Sequence, residues 1–286
     1  MIKKAIIPIA GFGTRFLPLS KVLPKELFPL ASKPILQYVA EEAAMSGIKE
    51  IIFVTKPGYC PSFEYFKRSK WLEEFLRKKG KKEILKEMES FDEFFGRISF
   101  SRAFQKKALG DGHAVLSAKK FVKNGPFAVL FCDDVVESKK PCLSELEKVF
   151  NKYKRPVVAL YTVPKEKSSS YGMVKVEKIG KMLYEIKGIK EKPSLKDSPS
   201  NLAIVGKYIL TPDIFPYFEN PVLAKGEIRI SGALSQMIES GKKVFGLQIE
   251  GKWLECGDKQ SYLESDVYLS LKHPVFGEKL KKSIGK

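Results

Sequence analysis

The chain is poor in cysteine, poorer in histidine, and has no long apolar run. Four cysteines (Cys60, Cys132, Cys142, Cys256) and two histidines (His113, His273) lie scattered through 286 residues, with no C-x-x-C pair. That spacing suggests neither a zinc site nor a disulfide framework. The cysteines read as reduced thiols of a cytoplasmic protein. No apolar run approaches the roughly 18 residues of a membrane span, and the first residues lack the apolar core and small-residue cleavage site of a signal peptide. A soluble protein with no membrane partner is expected. Internal repeats and low-complexity tracts are missing too, which excludes repeat arrays. What is present is a chain 44% apolar and 12% aromatic, able to bury a sizeable core without staples.

Acidic residues are the scarcer sign of charge: 51 Lys and Arg against 33 Asp and Glu give +18. Such a field attracts phosphate-rich partners. The basic residues nevertheless fall in short runs mixed with acids, such as Lys67-Arg68, Lys81-Lys82 and Lys119-Lys120. No zinc finger, basic zipper or aromatic RNP pattern accompanies them. They read as a solvated face, and no nucleic-acid partner is expected.

Short apolar runs read as buried strands at Ala5–Ile9, Ile51–Thr55, Phe127–Cys132 and Val157–Val163. Amphipathic segments lie between them. In the first, Ile35, Leu36, Val39, Ala40 and Ala43 share a face, Pro34 suits the first turn and Gly47 the stop. Strands alternating with helices predict an α/β layer fold around a largely parallel sheet. Residues 61–95 read as a charged helical insertion, 172–249 as a looser lobe of short strands and helices, and 260–285 as terminal helices. No linker parts independent domains. One domain over 1–286 is expected, with a first part to about 165, a second over about 166–257, and the terminal helices from 258.

The stretch "IIPIAGFGTRFLPLSKVLPKELFP" (Ile6 to Pro29) is the most informative. Glycines after a strand let backbone N–H groups turn toward an anion with no Cβ in the way. G-x-G alone is equally a tight turn. The third glycine of a dinucleotide fingerprint and the G-x-x-x-x-G-K-[ST] loop are both missing, so neither an NAD site nor a Walker loop is supported. Arg15 and Lys25 on the same loop shift the balance, because two cations beside a backbone nest suit a triphosphate.

"AGFGTRFLP" (Ala10 to Pro18) with "PKEL" (Pro24 to Leu27) resembles the signature of the sugar-nucleotide pyrophosphorylases, most closely the bacterial UTP–glucose-1-phosphate uridylyltransferases. "QKKALGDGHAV" (Gln105 to Val115), "LFCDDV" (Leu130 to Val135), "YGMV" (Tyr171 to Val174), "EKP" (Glu191 to Pro193), "SNLAIVGKYIL" (Ser200 to Leu210) and "WLECGDKQSYL" (Trp253 to Leu263) continue it in order. The resemblance covers nearly the whole chain. It implies a Rossmann-like, three-layer nucleotide-diphospho-sugar transferase fold with a mixed, mostly parallel sheet. The implied reaction is nucleotidyl transfer from UTP to glucose 1-phosphate, with Mg²⁺ as cofactor and a homodimer or homotetramer as the assembly.

By the same resemblance, Ala10, Gly11, Gly13, Thr14 and Arg15 cradle the nucleotide, Lys25 sits on its phosphates, and Glu26 reaches the uracil side. Gln105, Gly110 and Gly112 form the second nucleoside block. A glutamine amide can meet a uracil carbonyl and N3–H together, and glycines let the base lie against backbone. His113 invites a general-base reading, but a sugar phosphate is already an anion and needs no proton removed; a packed or capping histidine is expected. Asp133, at the carboxyl end of a buried strand, is the expected Mg²⁺ ligand, while Asp134 holds the ribose or caps a turn. Gly172, Glu191 and Lys192 take the sugar phosphate, with Asn201, Val205 and Gly206 shaping the wall.

Two departures stand out. Glu255 occupies the position of the usual second metal aspartate, with Asp258 a candidate substitute. Ser231 and Gly232 replace a usual Thr-Asp pair. These leave open a different hexose, thymidylyl transfer, or a weakly active regulatory homologue.

Overall fold

The computed structural model describes residues 1–221 and 226–285. Residues 222–225 of the expected second lobe and residue 286 of the terminal helices lie outside the described residues. The strands are β1 (Lys4–Pro8), β2 (Pro29–Leu30), β3 (Lys33–Pro34), β4 (Glu50–Thr55), β5 (Ser99–Phe104), β6 (Phe127–Leu130), β7 (Asp134–Glu137), β8 (Val157–Thr162), β9 (Gly172–Gly180), β10 (Leu183–Glu191), β11 (Leu202–Leu210), β12 (Val244–Gln248) and β13 (Lys252–Glu255). The helices are α1 (Ile35–Met45), α2 (Pro61–Glu64), α3 (Lys70–Lys78), α4 (Lys82–Phe95), α5 (Asp111–Ser117), α6 (Lys119–Val122), α7 (Cys142–Tyr153), α8 (Phe215–Glu219), α9 (Ile230–Glu239), α10 (Lys259–Lys272) and α11 (Gly277–Ser283).

The sheet runs β5-β4-β1-β6-β11-β8-β12-β10-β9. Its central strands are mostly apolar because both faces are covered. In β1, Ala5 and Ile7 point into one core with Leu36, Val39 and Leu146, while Ile6 points into the other with Val115, Phe215 and Leu234. Two apolar cores around one sheet make the three layers. The insertion α2–α4 stacks on the β4/β5 edge through Phe66, which packs against Phe53, Phe95 and Phe100.

The sheet is mixed, but less parallel than expected. Parallel pairing joins β5–β4, β4–β1, β1–β6 and β8–β12; β11 runs antiparallel to both β6 and β8, and β10 to both β12 and β9. For the β9–β10 pair the cause is connection length. Only Lys181 and Met182 separate β9 from β10, and a turn that short can join antiparallel strands alone.

One charge pair lies inside the core. Lys207 of β11 is fully buried, with Nζ 2.7 Å from Glu42 Oε2 of α1, though not aligned as a hydrogen bond. Glu42 Oε1 accepts from Leu143 N at 3.0 Å, so α1, α7 and β11 are tied together. Breaking such a pair leaves one charge buried and uncompensated. Lys207→Met is therefore expected to cost about 3–5 kcal/mol in urea unfolding. Adding Glu42→Gln should recover most of that loss; a double variant no better than the single would show that the pair is not the cause.

Candidate active site

Strand order reverses at β1: β4 and β5 lie on one side of it, β6 on the other. Open α/β sheets bind ligands in the crevice at such a reversal, beyond the carboxyl ends of the strands. The loop after β1 and the segment after β6 both emerge there. The first is folded on itself by short 3₁₀ turns at Thr14–Phe16, Leu19–Lys21 and Lys25–Leu27. Gly13 starts the first of them with φ 58°, in the left-handed region, and its carbonyl accepts from Phe16 N and Ser20 Oγ, each at 2.8 Å. Ala10 is buried at the loop's root, whereas Gly11, Thr14 and Arg15 are exposed.

Lys25 closes the loop onto the strand end: its Nζ donates to Asp133 Oδ2 at 2.5 Å. Burial alone would lower the lysine's pKa and raise the aspartate's. Their mutual attraction outweighs it in both, so Lys25 is held above its ordinary range and Asp133 below. Arg15 Nη1 donates to Gly257 O at 3.1 Å. A Cβ on Gly257 would meet Arg15 Nη1 at 3.3 Å and Asp133 Oδ2 and Glu255 Oε1 at 3.5 Å each. One cation and two carboxylates thus converge over a bare glycine.

Glu255 arrives through strand pairing, since β13 runs antiparallel to β7 with Glu255 opposite Asp134. Its other oxygen, Oε2, accepts from Tyr171 OH at 2.5 Å. Burial raises its pKa, against the Tyr171 hydrogen bond. Asp134 is held by Trp253 Nε1 (2.8 Å) and Gly206 N (3.2 Å). Burial and the neighbouring Asp133 push Asp134 up to about 7, so it is the less anionic of the two neighbours. Gly206 is required here, because any Cβ would collide with that carboxylate. Asp258 caps α10 instead, its Oδ1 and Oδ2 accepting from Ser261 N (3.0 Å) and Oγ (2.9 Å).

No three His, Cys, Asp or Glu side chains gather as a metal cage among the described residues. Mg²⁺ needs no such cage: one or two carboxylates, with phosphates and waters for the rest, suffice. Asp133 and Glu255, facing one point, fit that requirement.

A cavity of about 300 Å³ extends from this point into the second lobe, lined by Gly172, Glu191, Lys192 and Arg229 among others. Glu191 Oε1 accepts from Arg229 Nη1 at 2.6 Å and Oε2 from Ser231 Oγ at 3.1 Å. Lys192 follows at the end of β10 with φ 46°, a left-handed conformation uncommon for a side chain of its size. Asn201 binds Val163 N through its carbonyl at 3.0 Å, and Val205 is core. Gly232 falls in the first turn of α9.

The second nucleoside block is built differently from its expectation. Gly110, at φ 102°, and Gly112 are bare because Ile228 and Phe218 occupy the space where their Cβ atoms would be. Close packing against Phe218, Glu227 and Ile228 is enough to require glycine at both positions. Gln105 is buried, and its Nε2 donates to Gly110 O at 2.9 Å and lies 3.1 Å from His113 Nδ1. The nitrogen end is already occupied, so the amide offers a base its oxygen alone. His113 is a packed histidine, its pKa lowered by burial and by Lys107. Glu26 turns inward, 5% exposed, and accepts from Ser62 Oγ of α2 at 2.7 Å.

Sequence reasoning assigned no role to Arg229, Tyr171, Gly257 or Asp111. Arg229 stood in the departing segment "GEIRISGAL", which was its only signal. Asp111 Oδ1 accepts from Ile230 N at 2.7 Å, capping α9 from another helix.

A crevice of this kind, with cations and carboxylates at the switch point of an α/β sheet, defines a nucleotide-binding enzyme of the phosphoryl-transferring class. The nucleotidyl transferase family model matches residues 4–270, and the chain belongs to that family. It is 38% identical over 281 residues to a UTP–glucose-1-phosphate uridylyltransferase of Staphylococcus epidermidis, covering 98% of this chain and 96% of that one. A UTP-bound UGPase from Acinetobacter baumannii superposes with TM-score 0.92 at 35% identity, covering 100% and 99%. A UDP-glucose pyrophosphorylase complexed with UDP-glucose gives 0.86 at 36%, covering 96% and 100%.

Asp111 makes the cap titratable. Burial, opposed by the Ile230 N–H, pushes its carboxyl up to about 6. A raised folded-state pKa means that its stabilisation is complete below about pH 4 and lost as pH rises through about 6. Asp111→Asn should flatten that part of the decline in urea midpoint between about pH 4 and 6.5. An unchanged slope would place the pH dependence elsewhere.

Proposed function

We propose that the chain transfers a uridylyl group from UTP to glucose 1-phosphate, releasing UDP-glucose and pyrophosphate. The observation that carries this reading is the meeting of Arg15, Asp133 and Glu255 over Gly257, with Lys25 on Asp133 and the Glu191 pocket beside it. The relatives and solved structures named above support the substrate pair. In this reading the oxygen of the sugar 1-phosphate attacks the α-phosphorus of UTP in line as the bond to pyrophosphate breaks. The attacking oxygen is already anionic near neutral pH, so no general base is required, in keeping with a packed His113. Positioning and charge stabilisation carry the rate.

The first loop, Ala10 to Arg15, borders the triphosphate. Lys25 exchanges Asp133 for phosphate oxygen, and its charge counts most as pyrophosphate leaves. Asp133 and Glu255 would hold Mg²⁺, which supplies neutralisation of phosphate charge and a fixed geometry. Glu191 accepts hydroxyl hydrogen bonds from the hexose on lone pairs that Arg229 and Ser231 leave open. Lys192 provides the point charge for the 1-phosphate.

The same reading takes the chain as one domain in two parts and a cytoplasmic enzyme. Its four free cysteines are all buried, and no helix among the described residues is long and apolar enough to cross a membrane. Exposed Leu17, Leu19 and Val22 line an apolar groove with Leu263 of α10, which suits self-association.

Pyrophosphate release with Mg²⁺, crossing UTP and dTTP with several hexose 1-phosphates, tests the function. Turnover should be highest with UTP and glucose 1-phosphate; silence across the panel would favour a regulatory homologue. Lys25→Ala should lower kcat about 100-fold while UTP affinity changes little. Equal losses in both would contradict its assigned role. Asp133→Asn should abolish Mg²⁺-dependent turnover, and full activity would refute the ligand assignment.

A further inference from the structure

Gln105 is anchored twice. Its backbone N donates to Thr55 O at 2.9 Å, and its side chain lies 7% exposed at the end of β5. Both hydrogens of its amide are engaged, one by Gly110 O at 2.9 Å and the other by His113 Nδ1 at 3.1 Å. A carbonyl can only accept, so Gly110 decides that the nitrogen points inward. His113 Nδ1 must then be the acceptor, which puts the neutral ring's proton on Nε2. The ring sits on α5, one turn before Ser117, whose Oγ donates to the His113 carbonyl at 2.8 Å.

Among the described residues, Gln105 Oε1 makes no bond to protein, and it is not one of the sealed, unpartnered atoms. It is the end left for a ligand. An oxygen accepts from the N3–H of uracil. It faces the bare N3 lone pair of cytosine with another lone pair, and a buried site built for one hydrogen bond rejects an analogue that cannot make it.

We propose that His113 is a positioning residue for base selection: together with Gly110 it turns Gln105 so that only a pyrimidine carrying N3–H is accepted. This rests on the base-binding reading of Gln105 above. Without His113, one amide hydrogen loses its partner and Gly110 O alone holds the nitrogen inward, so the amide's orientation, and with it the discrimination against cytosine N3, loosens.

The test is pyrophosphate release by the full chain with glucose 1-phosphate and either UTP or CTP, in wild type and three variants. His113→Leu removes the acceptor, His113→Asn replaces Nδ1 with an amide oxygen, and Gln105→Met removes the amide. The wild type should prefer UTP. His113→Leu should lower the UTP:CTP ratio of kcat/KM by about tenfold or more, while His113→Asn keeps it within about threefold. A His113→Leu ratio unchanged beside a Gln105→Met ratio that collapses would overturn the role of His113 and leave the base reading intact. An unchanged ratio in Gln105→Met would overturn both. If His113→Leu does not fold, ¹⁵N NMR of the wild-type ring decides: Nε2–H supports the proposal, and Nδ1–H overturns it.

Discussion

The site depends on one ion pair at the point where the sheet reverses. Lys25 comes from the loop after β1 and Asp133 from the end of β6, adjacent strands whose connections leave in opposite directions. Neither charge is at ease alone in so covered a place, since burial disfavours both. Together they are stable, and each remains available to a ligand of the opposite sign. In the function proposed above, a triphosphate would bring oxygens for Lys25, and a divalent cation would bring charge for Asp133. The pair therefore keeps the crevice assembled before the substrates arrive, without filling it with a permanent structural contact.

The rest of the site is brought to that pair by the ends of elements. β13 pairs with β7, which begins at Asp134, and this delivers Glu255 and Gly257. β10 ends at Glu191, and Arg229, just before α9, reaches across to it. The antiparallel second half is what makes this geometry possible. The β9–β10 hairpin returns the chain to the crevice at both Gly172 and Glu191, which are register partners. Behind these groups the buried Lys207–Glu42 pair fixes β11 against α1, so that Gly206 can hold Asp134 from a rigid strand.

Much of this was legible in the sequence, and the division has a physical basis. The strands at Ile6, Ile52 and Val129 were readable because sheet strands covered on both faces are apolar at consecutive positions. Asp133 was readable because a carboxylate directly after such a strand has few reasons to be there. Pairings between distant segments were not readable. Gly110 and Gly112 were read for a base alone, and the close approach of Ile228 and Phe218, more than 100 residues away, had no signal in the sequence. Glu26 was expected on the uracil side, and its bond to Ser62 of the insertion had no signal in the sequence. Arg229 gave no periodic signal, because its role is defined only by contact with Glu191 and Glu227. The parallel share of the sheet was overestimated for the same reason: the apolar pattern of a buried strand is blind to its direction.

Glu255 shows how a departure in sequence is absorbed in structure. A glutamate where an aspartate is usual extends the carboxylate by one methylene, and Tyr171 holds the longer arm. Its hydroxyl holds Glu255 Oε2 at 2.5 Å, and its ring packs 5.0 Å from that of Trp253, whose own Nε1 is fixed on Asp134. The longer arm is drawn toward Tyr171, leaving Oε1 turned to the point it shares with Asp133 and Arg15. The same contact joins the second lobe, through Tyr171, to the strand that carries the carboxylate. In the function proposed above, the departure therefore leaves two carboxylates, Asp133 and Glu255, facing one point.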